Sequence, residues 1–104
     1  MVYEERTYEL YPKMVGKYLE LYELHGMELH KKILGNMVGF WTTDSGTLNS
    51  IVHLWAFESW DDRRSRRNAL VAIPEWNQFT DMIIPLIIKQ SNRFLLPTSF
   101  SPLQ

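Results

Sequence analysis

Seven side chains in three short stretches of this sequence could do chemistry together. Glu4, Arg6 and Tyr8 alternate near the N-terminus, Trp41 follows Gly39-Phe40, and His53, Trp55 and Phe57 alternate after Asn49-Ser50. A histidine titrates near neutrality, an arginine and a tyrosine can hold a developing oxyanion, and the rings supply stacking area. The set is equipped for acid–base work on a flat, largely apolar molecule. His53, Arg6 and Tyr8 are the candidate catalytic groups; Glu4, Trp41, Trp55 and Phe57 are the candidate ligand wall. The same residues also fit a structural network, with Glu4 paired to Arg6 and His53 hydrogen-bonded in a wall, because interior ion pairs perturb titrations without any catalysis.

Other chemistries find little support. The absence of cysteine removes disulfides, thiolate metal sites and a cysteine nucleophile. His25 and His30 lie five apart rather than the four that would place them on one helical face, so both are expected at the surface and no metal site is expected. His53 is chemically able to ligate haem, but nothing else marks a porphyrin site, and there is no Gly-rich phosphate loop, nucleophile elbow or dinucleotide fingerprint. No cofactor is expected. The run Arg63, Arg64, Arg66, Arg67 could bind phosphate, but with Asp61 and Asp62 beside it the spacing reads as a solvated helix face.

The candidate groups need strands to present them. Met37 to Glu58 holds two runs rich in β-branched and aromatic residues around Ser45-Gly46-Thr47, a β-hairpin. The period of two sorts it into Val38, Phe40, Val52, Leu54 and Ala56, expected against helices, and Gly39, Trp41, Thr43, Ile51, His53, Trp55 and Phe57, expected to line a pocket on the other face. Val2 to Leu10 reads as a strand whose Glu4-Arg6-Tyr8 side cannot meet a dry core, and joins that pocket face. Pro12 opens an amphipathic helix over Met14 to Tyr22, with Met27 to Leu34 as its continuation or a second helix, stopped at Gly35-Asn36. Ser59 caps a helix to about Ala72, Pro74 starts another carrying Trp76, Phe79 and Ile83, and Pro85 kinks or ends it. Lys89 to Leu96 is a last strand, and Pro97 onward an extended tail. The order is β-α-β-β-α-β, an α+β ferredoxin-like fold with an antiparallel sheet.

The 104 residues make one domain, 1–104, that buries roughly two thirds of its unfolded surface. A hydrophobic share of 45% against 22% charged residues argues against disorder, and a net charge of -1 recruits neither nucleic acid nor anionic lipid. The acidic start enters a strand pattern at once, unlike a signal or transit peptide, and no apolar run approaches the ~20 residues of a membrane span. The expected location is cytoplasmic.

Taken in order, Tyr3-Glu4, Arg6-Thr7-Tyr8, Gly39-Phe40-Trp41-Thr42-Thr43, Asn49, Val52-His53-Leu54-Trp55-Ala56, Pro74-Glu75-Trp76 and Phe100-Ser101-Pro102-Leu103 resemble the NIPSNAP family, within the larger group of dimeric α+β barrels. Two positions depart from the resemblance: Glu5 stands where an apolar, helix-facing residue is usual, and Ile73 where an Asp commonly caps the next helix. The resemblance implies two ferredoxin-like subunits set sheet to sheet, forming a barrel across a homodimer. The polar-aromatic sheet face independently needs a cover, and the tail from Pro97 to Leu103, with Phe100 as its apolar anchor, is expected to pack on the partner. The resemblance implies a cavity rather than one reaction. Animal members are linked to mitochondria and vesicle traffic, while related barrels include cofactor-free oxygenases, isomerases, dehydratases and haem enzymes. The expectation is a homodimer binding a small planar or hydrophobic metabolite in the barrel cavity between the two sheets, either as a cofactor-free oxygenase- or isomerase-type enzyme or as a non-catalytic ligand- or protein-binding module.

Overall fold

Strand β1 (Val2–Leu10) runs through the middle of the sheet and sets the position of everything else. It pairs antiparallel with β3 (Ser50–Phe57) on one side and with β4 (Ile87–Leu95) on the other, and β2 (Asn36–Thr42) completes the order β2-β3-β1-β4. The β1-to-β2 crossover carries α1 (Val15–Leu21) and α2 (Met27–Leu34); the β3-to-β4 crossover carries α3 (Trp60–Val71) and α4 (Pro74–Ile83). This is the ferredoxin-like arrangement, each crossover split into two helices. The computed structural model describes all residues, 1–104, with extents of 40 × 35 × 19 Å. The short dimension is that of one sheet under one helix layer, the latter about 10 Å deep.

Local signals explain most of the boundaries. The Ser59 hydroxyl accepts from the Asp62 backbone N–H and the Asp62 carboxylate accepts from that of Glu58, a reciprocal cap on α3. Pro74 opens α4, and Ile73 gives it no side-chain cap. Gly35, at φ +88, ends α2. A 3-10 turn, Ile84–Leu86, holds Pro85 and delivers β4 two residues earlier than the sequence suggested.

Between α1 and α2 the helix does not break; it widens into a π-helical turn, Tyr22–Gly26. Tyr18, Tyr22, Gly26, His30 and Leu34, each four apart, are all buried. A regular α-helix would rotate such a row by about 40° at every step. The wider turn counter-rotates it and keeps the row on the sheet.

The strands share faces as the period of two requires, but the orientation of β3 is the reverse of the sequence expectation. Trp55, His53, Ile51 and Phe57 lie buried beneath the helices, while Val52 and Leu54 are half-buried on the open face. The cause is register. Phe40 pairs with His53 and Trp41 with Val52, after a bulge between Met37 and Gly39, so Phe40 shares the helix side with His53 and Trp41 is left outside. Trp41 is 52% exposed, its indole lying over Gly39, where any Cβ would collide with it. Glu4, Arg6 and Tyr8 pair with Trp55, His53 and Ile51 and so share the helix face. Glu5 is on the open face, bonded to Arg93.

The tail folds back over its own sheet. The Tyr3 hydroxyl donates to the Gln104 carbonyl at 2.8 Å, and Leu103 helps enclose an apolar hollow of about 260 Å³ with Tyr3, Leu54 and Leu95. Phe100 is 85% exposed. No helix is long and apolar enough to cross a membrane.

Candidate functional site

Glu4 is the electrostatic centre of the helix face. Only 1% exposed, it accepts from Arg6 Nη1 at 2.9 Å, from Arg63 Nη2 at 3.0 Å and Nε at 3.1 Å, and from Asn92 at 2.8 Å. Burial alone would raise its pKa. The Arg63 and Asn92 hydrogen bonds and the two guanidinium charges outweigh burial and hold it at about 2. A buried carboxylate is tolerable here because its lone pairs are satisfied by charged or amide donors.

Arg6 uses its other edge on Tyr8, donating from Nε to the phenol oxygen at 2.9 Å. That bond leaves the Tyr8 proton free to be donated elsewhere. Tyr8 also packs edge-on to His53, with ring centroids 5.3 Å apart. Behind it, Trp55 Nε1–H donates to His53 Nδ1 at 2.6 Å and Phe40 stacks on the imidazole at 5.0 Å. His53 Nδ1 is thereby an acceptor, so the neutral ring carries its proton on Nε2, which is buried without a partner. Burial, reinforced by the Arg6 charge, pushes His53 down to about 3.

His30, expected at the surface with His25, is instead buried between Trp55 and Trp76, at centroid distances of 4.2 and 4.6 Å. Its Nδ1 and the Tyr22 hydroxyl are hydrogen-bonded at 2.9 Å. Burial and the neighbouring His53 and Arg67 depress it to about 2. His25 is exposed, as expected.

The pocket expected inside a sheet-to-sheet barrel is not where His53 and Trp55 lie, since both are buried under the helices; the cavity, of about 200 Å³, is instead between sheet and helices. Its floor includes Arg6 and Tyr8; its roof includes Tyr22, His30 and Arg67; and Trp76, Phe79 and Ile83 of α4 form an apolar side. Exposed Ile84 and Gln90 flank its mouth. The volume falls below the roughly 300 Å³ at which drug-sized sites begin and suits a molecule of single-ring size. Tyr8 and Arg6 bring O–H and N–H donors to the lining of this cavity.

The seven candidate residues therefore divide three ways. Arg6 and Tyr8 reach the cavity. Glu4, His53, Trp55 and Phe57 lie on the same face but outside its lining: Glu4 bonds Arg6, His53 packs on Tyr8, Trp55 bonds His53, and Phe57 is buried further along β3. Trp41 is on the opposite face of the sheet. Sequence reasoning missed His30, Tyr22 and Arg67, although the row of fours from Tyr18 to Leu34 marks the first two. The arginine run is not a solvated face: Arg63 bonds Glu4, Arg66 bonds Asp62 and the Ile33 carbonyl, Arg67 lines the cavity, and only Arg64 is exposed.

The chain is similar throughout to proteins of one family. Protein NipSnap of Drosophila melanogaster is 31% identical over 105 residues, covering 99% of this chain and 37% of that protein. The chain spans well under half the length of the curated relatives it matches. The crystal structure of a NIPSNAP family protein from Agrobacterium tumefaciens is 43% identical, with a TM-score of 0.96 over 100% of this chain and 94% of that one. An antibiotic biosynthesis monooxygenase superposes with a TM-score of 0.63 at 12% identity over 94% of this chain and 99% of that one, a likeness of fold alone. The NIPSNAP family model aligns with residues 3–102, all but two residues at each end, and on that extent of match the chain belongs to the NIPSNAP family.

Proposed function

We propose that this chain works as a homodimer, each subunit binding a small, planar, largely apolar metabolite between its sheet and helices, with Arg6 and Tyr8 polarising an oxygen of the ligand. That is the equipment of a cofactor-free enzyme of the isomerase or oxygenase type. The observation that carries the reading is the cavity itself: aromatic and aliphatic side chains on one side, and on its floor a tyrosine whose oxygen is held by a guanidinium while its proton stays free. Self-association is supported by the apolar groups of the open face, including Trp41, Leu54 and Leu95, by the exposed Phe100, and by the exposure of β4 along most of its length.

The test is calorimetric titration with a panel of small aromatic and quinonoid compounds, followed by a turnover assay on those that bind. Tyr8→Phe should retain binding and lower turnover about 100-fold, as for loss of one oxyanion donor. Failure of every compound to bind, or a ligand seated outside this cavity, overturns the reading. One observation favours the second reading, a non-catalytic binding module. His30, the only imidazole lining the cavity, is depressed to about 2 and is a poor base near neutrality. Binding without turnover selects that reading.

A further inference from the structure

The cavity contains more positive charge than the protein neutralises. Arg6 and Arg67 both line it. Arg6 has Glu4, a carboxylate it shares with Arg63 and Asn92. Arg67, half-buried on α3, has no ion-pair partner. The rest of the arginine run shows how this fold compensates a guanidinium that serves structure: Arg63 grips both oxygens of Glu4, and Arg66 takes Asp62 and a backbone carbonyl. Arg67 alone among the three inward-facing members is spare. Its own burial and the charge of Arg6 pull it below the ordinary arginine range. Two guanidiniums in one partly desolvated hollow, with a single shared acid between three arginines, leave room for an anion to enter with a favourable balance.

We propose that Arg67, with Arg6, binds the carboxylate of a small aromatic or similarly flat carboxylic acid whose ring lies against Trp76, Phe79 and Ile83. The inference rests on the ligand-cavity reading above and names the charged end of that ligand. A guanidinium fork matches a carboxylate with two parallel hydrogen bonds, and the apolar side of the cavity needs a ring or branched body to fill it. A bare phosphate would leave that side unused. A phosphate monoester would bring nearly two charges into a hollow walled largely by rings and aliphatic groups.

The experiment is calorimetric titration at low ionic strength with benzoate, its neutral isostere benzamide, and inorganic phosphate, on the wild-type chain and on Arg67→Gln. Benzoate should bind about ten-fold or more tighter than benzamide, as a charge-assisted hydrogen bond provides. That advantage should shrink with added salt and vanish in Arg67→Gln, while benzamide affinity stays within about two-fold. Arg67→Gln removes a cation without a partner, so its ligand-free melting temperature should be unchanged or higher. If it does not fold, Arg67→Lys, which keeps the charge and loses the fork, should show the same loss in weaker form. Benzamide binding as well as benzoate overturns the inference and leaves the cavity reading standing. So does a benzoate advantage that survives Arg67→Gln. Phosphate binding without benzoate binding overturns the carboxylate assignment, and failure of benzoate and benzamide alike overturns both readings.

Discussion

The two faces of this sheet differ in what they ask of the same residue types. Glu4 and Glu5 are neighbours in sequence; one is buried among Arg6, Arg63 and Asn92, and the other meets a single arginine, Arg93, that is 68% exposed. Trp55 has 0% exposure and its indole N–H is bonded to His53, whereas Trp41 lies half in solvent over Gly39. The contrast shows that polarity does not decide which face is covered. Partners decide it: a carboxylate with four donor contacts and an imidazole with an indole donor can sit under helices, and a face without such donors must keep its charges near water.

The largest break in that contrast is expected from truncating one large side chain on each face. Trp55→Ala should cost about 3 to 5 kcal/mol of unfolding free energy, the range for a fully buried aromatic residue. Leu54→Ala should cost under about 1 kcal/mol in dilute solution, because its side chain is only half-buried on the open face. Urea unfolding at several protein concentrations checks both. The Leu54 effect should grow with concentration if a second copy covers it, and the Trp55 effect should not. Equal costs in dilute solution would mean that the faces are not as described.

Acid sharpens the comparison next. His30 and His53 are held at about 2 and about 3, against an ordinary 6.5. Below pH 6.5 the unfolded chain takes up two protons that the folded chain refuses, so stability falls as the pH falls through the window from 6.5 toward 3. Each histidine contributes about 1.4 kcal/mol per pH unit well inside that window, so stability at pH 5 should be lower than at pH 7 by on the order of 4 kcal/mol. Glu4 acts elsewhere: held at about 2 against an ordinary 4.5, its contribution is present above 4.5 and is lost only as the pH falls toward 2. A flat profile between pH 7 and 5 would mean that water reaches both imidazoles and the helix face is open.

What could be read from the sequence follows the range of the interactions. The hairpin, the Ser59 cap, the Pro74 start and the grouping of Glu4, Arg6 and Tyr8 with His53 and Trp55 are local or periodic signals, and each stands in the fold. The direction in which that group faces was not legible. It depends on a bulge between Met37 and Gly39 that brings Phe40 opposite His53, and on donors to Glu4 supplied from 59 and 88 residues away. Without those donors in view, a strand bearing Glu4 and Arg6 reads as wet. Arg67 was hidden differently, inside a charge run whose members look alike until α3 is docked. The row from Tyr18 to Leu34 was legible in principle, and it turns His30 of α2 toward the sheet once the π-helical turn is allowed for.

Self-association tests the open face directly. Trp41→Asp and Phe100→Asp should each shift a monomer–dimer equilibrium toward monomer by about ten-fold or more, as expected when a charge replaces an aromatic anchor at an interface. Neither change should alter the far-ultraviolet circular dichroism or the affinity for a cavity ligand, since both side chains are outside the cavity. Sedimentation velocity of the wild-type chain showing only monomer at micromolar concentration would remove the homodimer. A free tail would leave Phe100→Asp silent while Trp41→Asp still acts.

The smallest effect on folding is expected at Glu5, and it isolates the two faces most cleanly. Its pair with Arg93 is a solvent-exposed ion pair, a class that contributes little to stability. Glu5→Gln should therefore leave the dilute unfolding midpoint where it is, in contrast to any change at Glu4, whose loss strands two guanidiniums. In the dimer the balance changes. Covering the open face would desolvate Arg93 with no counter-ion, so Glu5→Gln should weaken association more than it weakens the fold. Adding Arg93→Gln removes the stranded charge, and the double variant should recover most of the association seen by sedimentation equilibrium. If single and double variants associate equally well, the pair lies outside the contact, and the second copy must meet the sheet nearer Trp41 than β4.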